Sequence, residues 1–238
     1  MMKAVFAGLI LLLSSVAAFA ESRPVVVELF TSQGCSSCPP ADRLLGELAK
    51  RPDIIALGFH ITYWDGAQWR DPLSRPESTE RQKAYDDHLT RGQIYTPQMV
   101  IEGTEDVIGS DRSLVLAALD KAKPVAATTV SIARDRRSAT IGAGAAPRGA
   151  GVLVARYVLT HTTQVRGGEN AGRSATDTNA VTSLTMIGDW NGQAATFPIQ
   201  PPAEGEGLAI LVQAPDGRFL GAASTEGPAT SLPQAPRA

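Results

Sequence analysis

The sequence has 238 residues and a formal net charge of −2, with 22 lysines and arginines against 24 aspartates and glutamates. This length allows one large domain or two small ones. A mildly acidic chain without a basic run has no electrostatic footprint for nucleic acid or for an anionic membrane surface, so we expect neither as a partner.

The first twenty residues carry the three zones of a secretory signal peptide. Lys3 provides the positive region, an apolar core follows over residues 4–13, and Ala18-Phe19-Ala20 has the small-residue pattern of a cleavage site. The apolar core is shorter than the roughly 20 residues that a spanning helix needs. We therefore predict cleavage after Ala20, no membrane span after processing, and a periplasmic or secreted protein.

A strand, a cysteine-containing loop, a helix and a second strand come next. The apolar run at residues 24–30 predicts the first strand, and residues 31–37 form the loop. Pro39-Pro40 suits the first turn of a helix that continues to residue 50. A second apolar strand is predicted at residues 54–61. This order is a βαβ unit, which implies that the two strands pair in parallel.

An insertion at residues 62–75 holds Tyr63, Trp64 and Trp69 among polar residues. After it, the sequence predicts a polar helix over 76–92 and a hairpin with strands at 98–101 and 106–108. A closing helix over residues 111–121 begins at Asp111, a good N-cap residue, and Pro124 marks its end.

Beyond Pro124, helical periodicity disappears and small, β-branched and turn residues dominate. We predict six strands, at residues 125–133, 139–143, 151–161, 178–187, 194–199 and 208–214, arranged as a small β-sandwich. The predicted organisation is a signal peptide at 1–20, an α/β domain at 22–123, a smaller all-β, sandwich-like domain at 125–225 and a disordered tail at 226–238.

Cys35 and Cys38 are the chain's two cysteines. In an oxidising compartment they can form an intrachain disulfide only with each other, and its very small loop would stabilise the fold little. Cys35 lies at the predicted start of a helix, where free backbone N–H groups favour the thiolate and lower the pKa. Cys38, one turn further, would resolve the mixed disulfide. The alternatives are an inert pair or half of a metal site.

The stretch from Val25 to Leu48 resembles the thioredoxin superfamily, in which the first strand leads to a Cys-X-X-Cys motif at the head of the first helix. Thr96-Pro97, before Gln98-Met99-Val100-Ile101, is similar to the cis-proline that faces the dithiol in that superfamily. The resemblance implies a cis peptide bond, catalytic roles for Cys35, Cys38 and Pro97, and a place for Thr96 in substrate binding.

A narrower resemblance is to DUF1223, an exported bacterial family of unknown function. It is carried by Glu-Leu-Phe-Thr-Ser-Gln-Gly-Cys-Ser-Ser-Cys-Pro-Pro-Ala-Asp at residues 28–42, by Tyr63-Trp64-Asp65, by Tyr95-Thr96-Pro97-Gln98 and by Gly168–Arg173. It implies a thioredoxin-like domain followed by a β-rich one. Gly34 stands where thioredoxins commonly have an aromatic residue, and the stretch to Pro97 is longer, so partner choice and redox potential stay open.

Glu28 is the one charge in an otherwise apolar strand. Thioredoxins carry a buried acid in a similar place. Beneath Cys38, Glu28 would have a raised pKa and could take the proton of the resolving thiol, which makes it a candidate catalytic residue. The alternative is an edge position facing water.

Three further features are candidates for binding. Tyr63 and Trp64 could cover the dithiol and bind substrate, or simply pack the insertion. His60 could add a ligand to the two cysteines, whereas His88 and His161 lie outside any tight ligand spacing. The glycine-rich segment 167–173 could reach the catalytic face, although its composition favours a hairpin turn.

Taken together, the residues predict a thiol–disulfide oxidoreductase in which Cys35 attacks and Cys38 resolves. Its partners would be protein thiols or disulfides of the cell envelope, and we expect no cofactor and no metal. One alternative is a chaperone for copper or another metal that uses the same dithiol, perhaps with His60. Another is a non-catalytic interaction module that binds a partner through residues 125–225.

Overall fold

The computed structural model describes residues 23–86, 89, 92–122 and 127–226. It has a mixed α/β structure with a large mixed sheet and few helices. The first half contains β1 (Val25–Thr31), α1 (Pro39–Leu48), β2 (Ile54–His60), α2 (Pro76–Tyr85), β3 (Gln98–Ile101), β4 (Glu105–Ile108) and α3 (Arg112–Lys121). The second half contains β5 (Val130–Ile132), β6 (Ser138–Ile141), β7 (Gly151–Gln164), β8 (Ser174–Asp189), β9 (Ala195–Pro198), β10 (Glu206–Gln213) and β11 (Phe219–Ser224).

The predicted βαβ unit is confirmed. β1 and β2 pair in parallel over their whole lengths, from Val25 opposite Ile54 to Thr31 opposite His60. On its other side β1 pairs antiparallel with β3, which forms a hairpin with β4. Both strands of the βαβ unit therefore end at the same edge of the sheet, from which the cysteine-containing loop departs.

One eight-stranded sheet runs through both halves of the chain, in the order β11-β10-β7-β8-β2-β1-β3-β4. The junction is a short parallel contact between β2 and β8, at Gly58 opposite Ala180. A small sheet of β5, β6 and β9 packs on the β7–β10–β11 end, where side chains such as Val130 and Ile141 join Val152 and Ile210 in one apolar cluster. The backbone hydrogen bonding thus crosses the predicted domain boundary near residue 124.

The two faces of β1 bury different partners, because successive side chains of a strand point to opposite faces. Val27 and Leu29 pack with the buried face of α1, which includes Leu44 and Leu45. Val26, Phe30 and residue 28 between them face α2 and the strands of the second half. Which side of β1 a residue occupies therefore decides whether it can reach the helix that carries Cys38.

Several predicted elements differ from the observed ones. The strand β11 was not predicted, and β7 and β8 extend further than expected. Asp111 caps α3 as predicted, accepting hydrogen bonds from the backbone N–H groups of Ser113 and Leu114.

The predicted signal peptide, His88, Pro124 and the tail from Gly227 lie outside the described residues. Within the described ranges, no helix is long and apolar enough to cross a membrane.

Candidate functional site

The two cysteines lie in the loop that connects β1 to α1. Their sulfurs are 2.16 Å apart, at disulfide distance, and Cys38 is the N-cap residue of α1. Pro39 and Pro40 follow in the first turn, where a missing N–H costs nothing. Cys35 and Cys38 are 1% and 0% exposed, whereas the intervening Ser36 and Ser37 are exposed. The sulfurs are therefore covered, and only the short connection between them faces solvent.

Part of this cover comes from the second half of the chain. The ends of β7 and β8, with the loop between them, form a projecting hairpin over residues 160–178, which we call the hairpin arm. At its tip, the buried Asn170 amide donates hydrogen bonds to the carbonyls of Gln33 (3.0 Å) and Cys35 (2.8 Å). The Glu169 carboxylate accepts one from the Ser36 N–H at 3.3 Å. The glycine-rich segment is a hairpin turn, as its composition favoured, and it also reaches the dithiol.

Trp64 also lies against the dithiol loop. The backbone of Gly34 is so close that a Cβ atom there would lie 3.2 Å from the Trp64 carbonyl oxygen and 3.3 Å from the Trp64 Cβ atom. The indole N–H donates a 2.7 Å hydrogen bond to the Thr96 hydroxyl. The Thr96-Pro97 peptide bond is cis, as the superfamily resemblance implied. Trp64 thus connects the dithiol loop to the Thr96-Pro97 bend while 41% of its surface remains exposed.

Next to the dithiol loop, four ionisable residues form what we call the buried acid cluster: the half-buried Asp42 and the buried His60, Asp71 and Asp177. His60 ends β2 and holds Asp71 of the insertion at 2.8 Å through Nδ1, with Asp177 of β8 3.8 Å from Nε2. The charge of Asp42, on α1, also acts on His60, so one imidazole is influenced by three acids.

Hydrogen bonds tie this cluster to the dithiol loop. The Gln33 N–H donates to Asp71 (2.8 Å), and its side-chain amide donates to Asp177 (2.7 Å). The Thr31 hydroxyl, at the end of β1, donates to Asp42 at 2.7 Å. Thr31 and Gln33, at the start of the dithiol loop, are thus hydrogen-bonded directly to the acids of the cluster.

Burial, neighbouring charges and hydrogen bonds together shift the pKa of each member of the cluster. Burial alone would lower the pKa of His60, but the hydrogen bond and charge of Asp71, with the charges of Asp177 and Asp42, raise it to about 9. Burial disfavours the charge on Asp71 too, yet the His60 bond and charge and two backbone N–H donors lower its pKa. At neutral pH, His60 is therefore a cation paired with an ionised Asp71.

The other two acids hold their protons more tightly. Burial raises the pKa of Asp177, against the opposing effects of the His60 cation and the Gln33 amide. Burial also raises the pKa of Asp42 to about 7, although the Thr31 hydrogen bond and the His60 charge act in the opposite direction. Asp42 thus exchanges a proton near neutral pH.

Comparison with known proteins agrees with the sequence motifs. The model of the DUF1223 family, described as a protein family of unknown function, matches residues 26–213. The chain belongs to the DUF1223 family. A search of curated proteins gives no match. A crystal structure of a protein from Agrobacterium tumefaciens is similar, with 32% sequence identity, a TM-score of 0.73, and coverage of 90% of this chain and 99% of that one.

A second solved structure, HBP35 of Porphyromonas gingivalis, shares 13% sequence identity with this DUF1223 protein. The TM-score is 0.56, with coverage of 91% of this chain and 80% of that chain. At such low identity the likeness concerns the fold alone.

Glu28 is buried, but its side chain points to the α2 side of β1, away from α1 and Cys38. Arg81 of α2 donates to both of its carboxylate oxygens, at 3.0 and 3.1 Å, and the Tyr85 hydroxyl also donates to it. Glu28 of this DUF1223 protein therefore does not lie beneath Cys38, where the sequence placed it.

Of the remaining residues predicted for the site, some lie near the dithiol loop and others do not. Trp64 lies against Gly34 of the dithiol loop and donates to Thr96, which precedes the cis-Pro97, whereas the Tyr63 hydroxyl donates to Gln82 at 3.2 Å. His60 faces Asp71 and Asp177 with its two ring nitrogens. Among the described residues, no group of three or more His, Cys, Asp or Glu side chains is arranged to hold a metal ion.

Sequence reasoning missed Asp71, Asp177 and Asn170 as parts of the site. Asp71 and Asn170 stand in segments that were singled out, the insertion and the glycine-rich loop. Asp177 had no local signal, because its partner Gln33 is 144 residues away.

Proposed function

We propose that this DUF1223 protein is an exported, thioredoxin-like thiol–disulfide oxidoreductase that exchanges disulfides with proteins of the cell envelope. Cys35 is the attacking thiol and Cys38 the resolving one. The observation that carries this proposal is the location of the chain's two cysteines, at disulfide distance, between the end of β1 and the first turn of α1.

The helix terminus favours this chemistry. The first backbone N–H groups of a helix have no intrahelical acceptor and attract negative charge, which stabilises a thiolate over a thiol. A disulfide that joins neighbours in sequence adds little stability, so the buried Cys35–Cys38 pair fits a chemical role better than a structural one.

The surroundings suit a protein substrate. The partly exposed ring of Trp64 lies against the dithiol loop and is bonded to Thr96, so it offers an apolar contact beside the Thr96-Pro97 bend. The thioredoxin-like assignment for residues 22–123 is supported by the parallel β1–α1–β2 unit followed by the antiparallel β3–β4 hairpin and α3. The signal-peptide pattern of the first twenty residues supports export.

Trapping the mixed disulfide tests this function. A Cys38→Ser variant keeps the attacking thiol but cannot resolve, so it should accumulate covalent adducts with a reducible model protein, visible on non-reducing gels and released by dithiothreitol. Cys35→Ser is the matched control and should trap much less. Equal trapping by both variants, or none by either, would contradict the assigned roles.

A further inference from the structure

The hairpin arm extends beyond the strands that flank it in the sheet. β10 pairs with β7 only as far as Val158, and β2 meets β8 at Ala180. Among the described residues, the three apolar clusters of the core include none from the arm. A segment with few buried apolar contacts opens at a lower cost in free energy than the core does. What holds the arm in place is therefore its contact with the dithiol loop and the insertion.

The hydrogen bonds between the arm and the dithiol loop are few and all involve side chains. At the tip, the two bonds of Asn170 and the one of Glu169 hold three backbone groups of the loop, two carbonyls and one N–H. Nearer the base, the Gln33 side chain donates to Thr163 at 3.1 Å and to Asp177. Water can replace such bonds when the arm moves away, so their net contribution to closure is modest.

In the described part of the chain, two buried polar atoms next to the arm have no hydrogen-bond partner. One is Oε1 of Gln33, and the other is Nε1 of Trp69. Trp69 packs against the arm tip, because a Cβ atom on Gly168 would lie 3.4 Å from the Trp69 Cβ atom. A buried polar atom without a partner is unfavourable, and water would satisfy both atoms if the arm were displaced. This lowers the cost of opening.

The base of the arm, in contrast, is fixed to the sheet. Asn179 has a φ of 48°, in the left-handed region that few residues other than glycine adopt. Its side-chain amide donates to the Ala56 carbonyl of β2 at 2.9 Å. A fixed base and a tip held mainly by polar contacts are the features of a lid that turns about its base.

A lid is needed because the cysteines are covered. Cys35 is 1% exposed, whereas a protein disulfide has to reach its sulfur directly. We propose that the hairpin arm is a lid whose tip occupies the position of the substrate, and that an extended segment of a protein partner displaces Asn170 and Glu169 before Cys35 reacts. This inference rests on the proposed function, since it concerns access of the partner to the same dithiol.

The chemistry of the tip fits this role. The amide N–H of Asn170 and the carboxylate oxygen of Glu169 are side-chain equivalents of the N–H and C=O groups of a peptide. Displacing them frees two carbonyl acceptors and one N–H donor of the dithiol loop. An extended polypeptide offers unpaired main-chain donors and acceptors to such groups, independently of its sequence. The substrate class is therefore an exposed, extended segment next to a protein disulfide.

Hydrogen exchange of a trapped complex tests the lid directly. Cys38→Ser is joined through Cys35 to a disulfide-containing model protein, and amide exchange is followed by mass spectrometry in the complex and in the free variant. Amides of residues 160–178 should exchange at least tenfold faster in the complex, because an isolated two-stranded ribbon is only marginally stable in water. Amides of residues 151–158, which pair with β10, should not change. An arm as protected in the complex as in the free variant would overturn the inference, whereas failure to form any complex would overturn the proposed function.

Two substitutions at the tip test the lid without a bound partner. Asn170→Asp keeps the size of the side chain but turns a carboxylate toward two carbonyls, and Glu169→Ala removes an exposed acceptor. In the oxidised protein, both should speed exchange of the arm amides and, in parallel, reduction of the disulfide by reduced thioredoxin, roughly tenfold for Asn170→Asp. Gln164→Ala, at an exposed position on the arm, is the matched control and should change neither. Faster exchange of the arm with unchanged reduction would overturn the inference, as would unchanged exchange in both tip variants.

Discussion

The side-chain amide of Asn170 donates a 2.8 Å hydrogen bond to the backbone carbonyl of Cys35, 135 residues earlier in the chain. It also donates to the Gln33 carbonyl. The conformation of the dithiol loop is therefore fixed partly by the hairpin arm, and the second half of the chain completes the candidate site.

Removing this amide should loosen the dithiol loop. Asn170→Ala removes the amide donor to the Gln33 carbonyl and one of two donors to the Cys35 carbonyl, which also accepts from the Cys38 N–H at 3.3 Å. Leaving a buried carbonyl unsatisfied costs about 1–3 kcal/mol, reduced where water enters. We expect a lower free energy of unfolding in urea and faster reduction of the disulfide by a small phosphine. Asn191→Ala, at an exposed turn, is the matched control and should affect neither quantity by much. Unchanged reduction kinetics in Asn170→Ala would show that the arm does not hold the loop.

The Glu28–Arg81 pair should be a major determinant of stability. Arg81→Met leaves the fully buried Glu28 without its cation, and breaking a buried pair from one side costs about 3–5 kcal/mol. Arg51→Met removes the exposed pair with Asp53 and should cost no more than about 1 kcal/mol. Chemical denaturation of both variants measures the difference. Similar losses in the two would mean that Glu28 is solvated in solution.

Stability should fall as the pH rises above neutrality. The pKa of His60 is raised from 6.5 to about 9 in the folded protein, so its contribution is complete below pH 6.5 and is lost as the pH rises through about 9. The pKa of Asp42, raised from 3.8 to about 7, changes stability in the same direction over a lower range.

The His60 contribution is on the order of 3 kcal/mol. His60→Asn keeps a donor toward Asp71 but cannot titrate, so the decline between pH 6.5 and 9 should become shallower. Urea unfolding across this range measures both curves. Parallel curves for the variant and the wild type would assign the decline to other groups.

Trp64 should limit access to the disulfide. Trp64→Ala removes the ring and the hydrogen bond to Thr96, and we expect the disulfide to be reduced by a phosphine about fivefold faster, the equivalent of roughly 1 kcal/mol for one lost hydrogen bond. Trp64→Phe retains an aromatic ring and loses only the N–H donor, so it separates the two effects. An unaltered rate in Trp64→Ala would show that the ring does not cover the reactive sulfur.

Local signals predicted much of the first half of the fold. The Cys-loop at the head of a helix, the parallel strand pair and the Asp111 cap depend on residues close in sequence, and all are observed. The side of β1 that Glu28 faces could also have been predicted, because residues 26, 28 and 30 of a strand share one face. The resemblance to thioredoxins instead led to the prediction that Glu28 lies beneath Cys38.

Non-local contacts explain what was missed. The sheet continues through the predicted boundary at one short junction between Gly58 and Ala180, which no pattern in either segment indicates. β11 is rich in glycine and alanine and lacks the β-branched run typical of a strand. Asp177 joins His60 only because the hairpin arm folds back across the dithiol loop.

The most direct test of the central claim is the redox equilibrium of Cys35 and Cys38 in the folded protein. Equilibrating the protein in glutathione buffers of defined potential, quenching with acid and alkylating the free thiols gives the fraction reduced at each potential. The proposed function predicts one reversible two-electron transition, the same from the oxidised and reduced sides, with the fold retained throughout. A disulfide that opens only when the protein unfolds would contradict it.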